Sequence, residues 1–177
     1  MRRYQRGDDQ AFHRLYERHR APLYRFVRRL SPETSDPGEI VQETWMAVIR
    51  GRVRYQPQAR FVTYLFSIAR RRAMEHWRRL GRALPLEREA ADLDGLLGPT
   101  SHEPEPHAAT AALRADLMTA VAALPILQRE VFQLRAEGDL TLEEIGAATG
   151  TSRETAKSRL RYALNRLRLS LEHWHDE

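Results

Sequence analysis

Cysteine is absent from the 177-residue chain, which removes disulfides, thiolate metal sites and cysteine nucleophiles together. Lysine is almost absent: Lys157 stands alone beside 28 arginines. That bias fits GC-rich coding, so an excess of arginine by itself carries no function. No apolar run approaches the ~20 residues that cross a bilayer, and the N-terminal stretch MRRYQRGDDQAFHRLYERH is charged throughout. A cytoplasmic protein without membrane insertion is expected. No phosphate-binding glycine-rich loop is present, so a nucleotide-using enzyme is not indicated. The histidines (His13, His19, His76, His102, His107, His173, His175) are scattered, and the closest pair, His173 and His175, lies in a charged tail without further ligands. No metal, cofactor or catalytic residue is expected.

What is present is charge, unevenly spread. Residues 1–80 hold 18 Arg against 8 acids, a net +10. Residues 81–110 hold 2 Arg against 6 acids, and residues 111–177 are near neutral at −1. So basic a first block suggests a polyanionic partner. The middle block, GRALPLEREAADLDGLLGPTSHEPEPHAAT, gathers Pro, Gly and acids without periodicity and reads as a flexible linker. The expected organisation is two small helical domains, 1–80 and 111–177, joined by the linker 81–110.

Nearly every periodic segment has helical spacing and none alternates as a strand does, so the fold is expected to be all-α. From Asp9 to about Arg29, residues Phe12, Leu15, Tyr16, Leu23, Phe26, Val27 and Leu30 recur on one side, with Pro22 as a possible kink. DPGEIVQETWMAVIR opens a helix with Asp36 as N-cap, Pro37 at the first helical position and Glu39 placed to reach back. Its expected buried stripe is Ile40, Val41, Trp45, Val48 and Ile49. A third helix, FVTYLFSIARRRAMEHWRRLGR, is expected to turn Tyr64, Leu65, Ile68, Ala69 and Trp77 inward. Periodicity resumes at Ala111.

Near the C-terminus, LTLEEIGAATGTSRETAKSRLRYALNRLR reads as two helices broken at a glycine. Thr141 and Glu144 have capping-box spacing, Leu142, Ile145 and Ala148 supply a buried face, and Gly150 suits a left-handed end. Thr151 or Ser152 caps the second helix, whose inner stripe is Ala156, Leu160, Ala163 or Leu164, Leu167 and Leu171. Its other face carries Arg153, Lys157, Ser158 and Arg161. This is the form of a helix-turn-helix, whose second helix enters the major groove. Arg and Lys can donate there to guanine N7 and O6, and Ser serves either base type. The competing reading is a surface helix with solvated charges.

The third helix and the loop before it interleave basic residues (Arg52, Arg54, Arg60, Arg70, Arg71, Arg72, Arg78, Arg79) with rings (Tyr55, Phe61, Tyr64, Phe66, Trp77), and the candidate DNA contacts there are Arg54, Tyr55, Arg60, Phe61, Tyr64, Arg70, Arg71, His76, Arg78 and Arg79. Basic grooves with aromatic platforms suit single-stranded nucleic acid. Any single ring at helical spacing is nonetheless more often core than platform.

With GDDQAFHRLYERH, DPGEIVQETWMAVIR, FVTYLFSIARRRAMEHWRR and LPILQREVFQLRAEGDLTLEEIGAATGTSRETAKSRL in this order, the sequence resembles the extracytoplasmic-function (ECF) group of the sigma-70 family, the bacterial RNA polymerase sigma factors. The resemblance implies a first domain that docks on the polymerase clamp through Asp36, Glu39, Gln42 and Glu43, and melts the minus-ten promoter element with the basic and aromatic residues just named. It implies a second domain that reads the minus-thirty-five element through Arg153, Glu154, Lys157, Ser158, Arg161 and Tyr162, with its earlier helices against the polymerase flap. Core RNA polymerase, promoter DNA and an anti-sigma factor or other regulatory partner are the partners implied. The chain departs from the family pattern at Pro37-Gly38-Glu39 in place of an acid pair, at Tyr64 for a common Trp, at Arg71 for a common Asn, and at Tyr162 for a frequent Arg.

Tethering both readers to one polymerase raises the effective concentration of each at its site, so neither needs to bind DNA strongly alone and a near-neutral second domain suffices. A 30-residue linker extends to about 100 Å, more than the ~70 Å of two DNA turns. Phosphate on Thr34 or Ser35 would add negative charge at a helix N-terminus beside the thinned acidic surface. The main alternative is a two-domain transcription regulator that binds a palindromic operator without polymerase.

Overall fold

A computed structural model of the chain describes residues 1–31, 35–80 and 106–174, with side chains described from 111 onward in the last stretch. Most of the expected linker, together with Thr34, His102 and His175, lies outside the described residues, as does the His107 side chain. Helices alone make up the regular structure among the described residues: α1 (Arg2–Gln5), α2 (Asp9–Leu30), α3 (Pro37–Arg50), α4 (Phe61–Arg79), α5 (Pro106–Ala123), α6 (Ile126–Gly138), α7 (Leu142–Thr149) and α8 (Arg153–Ser170), then a 3-10 turn Glu172–Trp174. The helix expected from Ala111 begins five residues earlier, inside the segment read as linker.

Local chemistry accounts for most of the boundaries. Asp8 accepts from Ala11 N at 2.9 Å to start α2, which runs unbroken through Pro22. Asp36 accepts from Gly38 N at 2.8 Å and Pro37 follows it at the first position of α3. Pro tolerates that place because its missing N–H has no helical partner there. Glu39, expected to reach back, instead places a carboxylate oxygen within 4.8 Å of Glu43 and His76, and the Asp36 side chain makes the cap. Asp139 ends α6 in the left-handed region at φ 48°, a conformation short polar side chains tolerate.

The core does not respect the division into two units. Leu23, Phe26, Val27 and Leu30 of α2, Ile40, Trp45 and Val48 of α3, and Leu65, Phe66, Ile68 and Ala69 of α4 form one cluster with Val131 and Leu134 of α6, Leu140, Ile145 and Ala148 around α7, and Ala156 of α8. The Phe26 and Phe66 rings lie 5.1 Å apart. Phe66 Cδ1 sits 3.7 Å from where a Cβ on Gly138 would stand, so this ring presses directly on α6. Each such large apolar side chain is worth about 1.5–3 kcal/mol when fully buried. Val121, Leu124, Ala163 and Leu167 form a smaller cluster between α5 and α8.

Polar bonds run along the same seam. Arg25 donates to both Glu137 oxygens at 3.0 and 2.9 Å, and Arg29 donates to Glu137 at 2.7 Å and to Gln133 at 2.9 Å. Gln133 is buried, so this bond satisfies a group that water does not reach.

Candidate nucleic-acid interface

The turn between α7 and α8 positions the C-terminal face. Thr141 and Glu144 make both halves of the capping box, at 3.2 and 2.9 Å. Gly150 takes the left-handed end of α7 at φ 70°, and Ser152 caps α8 by accepting from Thr155 N at 3.1 Å. Gly146 allows the close approach: a Cβ there would stand 2.8 Å from the Thr151 carbonyl oxygen. Ala156, Ala163 and Leu167 turn inward, whereas Leu164 is half exposed.

On the outer face of α8, Arg153, Glu154, Lys157, Ser158, Arg161 and Tyr162 are all exposed. Arg153 is already engaged, donating to Glu143 at 2.5 Å and Glu154 at 2.7 Å. The Arg161 guanidinium lies over the Tyr162 ring, 5.1 Å from its centroid. Lys157 and Ser158 complete a face about two and a half helical turns long on which donors and a planar stacked cation stand side by side.

The residues expected to take single-stranded DNA divide into three groups. Arg54, Arg71, Arg78 and Arg79 are exposed. Tyr55, Phe61 and Tyr64 form an aromatic cluster, with ring centroids 5.1 Å apart for Tyr55 and Tyr64 and 6.4 Å for Phe61 and Tyr64. Tyr55 is buried in it, and Gln5 of α1 fixes its loop by donating to the Tyr55 carbonyl at 3.0 Å. His19 joins from α2, 5.6 Å from Phe61. Gln5 and His19 are additions that spacing within the third helix could not indicate.

The third group faces the second unit. Arg60 donates to both Glu144 oxygens at 2.7 and 2.6 Å and to the Asp139 carbonyl at 2.6 Å. Thr63 adds a bond to Glu144 at 2.8 Å. The Arg60 guanidinium holds the Glu144 carboxyl down at about 2, with help from Thr141 and Thr63 against the cost of burial. Arg70 donates to Glu130 at 2.6 Å. Burial pushes the Glu130 carboxyl up, and Arg70 opposes that shift. Two arginines expected to follow phosphates are therefore held by carboxylates of α6 and α7.

On α3, Asp36, Glu39 and Gln42 are exposed and Glu43 is half-buried. His76, expected on the DNA-facing surface, is instead 8% exposed. Its Nε2 points to Glu43 Oε2 at 3.6 Å, because α3 packs along that side of α4.

Residues 15–83 match the family model for Sigma-70 region 2, and residues 120–169 match that for Sigma-70, region 4. The chain is 30% identical over 171 residues to the RNA polymerase sigma factor CarQ of Myxococcus xanthus, covering 95% of this chain and 93% of that protein. It is 33% identical to the ECF RNA polymerase sigma factor SigF of Caulobacter vibrioides, over 80% of this chain and 74% of the relative. Its fold is similar to the sigma factor RpoE solved with the anti-sigma factor NepR from Bartonella quintana, with TM-score 0.68 and 22% identity over 92% of this chain and 98% of the other. CnrH, solved with the cytosolic domain of CnrY, gives TM-score 0.64 and 23% identity over 96% and 92%.

Proposed function

The chain belongs to the extracytoplasmic-function group of the sigma-70 family, and from that premise we propose how its residues divide the work of a sigma factor that binds core RNA polymerase and directs promoter-specific initiation. Residues 1–80 dock on the polymerase clamp through Asp36, Glu39, Gln42 and Glu43 and open the minus-ten element. Arg54, Arg71, Arg78 and Arg79 follow the strand, and the Tyr55, Phe61 and Tyr64 cluster shapes the pocket for an unstacked base. Residues 111–177 read the minus-thirty-five element through Lys157, Ser158, Arg161 and Tyr162, with Arg153 and Glu154 at the helix entrance. The protein acts in the cytoplasm, without catalytic chemistry of its own.

One observation carries this reading further than family membership does. Arg60 and Arg70 are bonded to Glu144 and Glu130 across the seam, so the closed arrangement is the polymerase-free state, and docking on polymerase separates the units and releases both arginines to phosphate. The relative RpoE is solved with an anti-sigma factor, and we extend a partner of that kind to this chain as one that keeps the units closed.

Equilibrium binding to a promoter fragment tests the proposal. The chain alone binds weakly and without preference, and core polymerase plus the chain binds specifically. Tight specific binding by the chain alone would place it among operator-binding regulators instead.

A further inference from the structure

The packing of α3 on α4 brings three possible metal ligands together. Glu39 and Glu43 are four residues apart and so share one face of α3. His76 reaches that face from α4. One ligand atom from each of the three lies within 4.8 Å of the others.

Two of these atoms are shielded from water and make no hydrogen bond. His76 is 8% exposed and its Nε2 has no hydrogen-bond partner; Glu43 Oε2 has none either. They face each other at 3.6 Å, too far for a good hydrogen bond. Buried polar atoms without partners are rare because each forfeits its hydration. Two donors each about 2.0–2.2 Å from one tetrahedral ion would stand about 3.3–3.6 Å apart, which is the separation seen. Arg79 reaches the other Glu43 oxygen, Oε1, at 3.6 Å, leaving Oε2 for the ion.

We propose that Glu39, Glu43 and His76 form a binding site for a divalent transition cation of the zinc class. Two carboxylates and a neutral imidazole match a dication in charge. The imidazole favours zinc, nickel or cobalt over magnesium or calcium, which prefer oxygen donors alone. Three protein ligands leave a coordination position for water. The chain has no cysteine to compete as a thiolate ligand.

The site has a consequence that rests on the assignment of α3 to the polymerase clamp. An ion held here takes Glu39 and Glu43 out of the docking surface and cancels their charge, so a filled site opposes polymerase binding.

Zinc is titrated into the full-length protein by calorimetry and thermal unfolding, beside Glu39→Gln and His76→Gln, with cobalt absorption as a second readout. One equivalent is expected to bind, with unfolding raised by about 5–10 °C at a free concentration ~100-fold above Kd. Visible d–d bands of His and carboxylate coordination are expected with cobalt. Both substitutions weaken binding by at least about tenfold; Glu39 is exposed, so its variant reports on the site even if His76→Gln fails to fold. Absence of saturable binding, or binding that neither substitution weakens, overturns the site. Zinc that binds as expected yet leaves the affinity for core polymerase unchanged overturns the competition while the site stands.

Discussion

Arg60 and Glu144, 84 positions apart, meet through two charge-assisted hydrogen bonds of 2.7 and 2.6 Å, and this pair joins the start of α4 to the first turn of α7. Glu144 is simultaneously the capping-box residue of α7. One carboxylate thus fixes the helix-turn-helix locally and the closed arrangement globally.

The pair sets a pH dependence. The Glu144 carboxyl falls from an ordinary 4.5 to about 2 in the folded protein. A depressed folded value means that its stabilisation is complete above about 4.5 and is lost as pH falls through about 2. Thermal unfolding of the parent and Glu144→Gln, followed by circular dichroism, should show a constant gap at neutral pH. The gap narrows below about 4.5 and closes near about 2. A gap unchanged across that window contradicts the role given to Arg60.

Phe66 belongs to both units. Phe66→Ala removes a fully buried ring that touches Phe26 on one side and α6 on the other. The expected cost is about 3–5 kcal/mol by urea denaturation. Because the cavity opens at the seam, probes in α3 and in α8 should shift together. A change confined to one half would mean that the halves unfold independently.

The two glycines of the helix-turn-helix predict opposite tolerances. Gly146→Ala drives a Cβ to 2.8 Å from the Thr151 carbonyl oxygen, where backbone must move, at about 1–3 kcal/mol. Gly150 has open space around it and needs only its positive φ, so Gly150→Asn should cost little. Denaturant midpoints of the two variants decide this, and equal losses contradict the geometry.

Arg70 meets Glu130 in a nearly closed setting, with one Glu130 oxygen left without a partner. Removing one member of such a pair strands the other. Arg70→Ala should therefore destabilise the closed arrangement more than Arg25→Ala, whose Glu137 keeps Arg29. Limited proteolysis between the units gives the order, and faster cleavage of Arg25→Ala would reverse it.

Signals that act within one turn of chain were legible before the structure. Asp36 before Pro37, Thr141 with Glu144, and Gly150 announce helix ends because the bonds they make are local. Helical period also marked Leu65, Ile68 and Ala69 as inward. What escaped was whatever depends on a distant neighbour. Thr63 and Glu130 are buried although polar, because Glu144 and Arg70 come to them from the other half. Ile49, expected inside, is 37% exposed, since α2 and α4 together cover the face of Ile40, Trp45 and Val48 and leave the edge of α3 uncovered. The Glu39, Glu43 and His76 group needed the packing of two helices that no spacing rule connects. The α8 face was readable because every member lies on one helix.

Run-off transcription with bacterial core polymerase, with and without this protein, on fragments of its own genome tests the central claim most directly. Specific starts that need the protein, and that vanish in a Lys157→Ala, Arg161→Ala variant of unchanged stability, are the predicted result. Starts that persist in that variant, or no starts at all beside tight DNA binding by the chain alone, would contradict it.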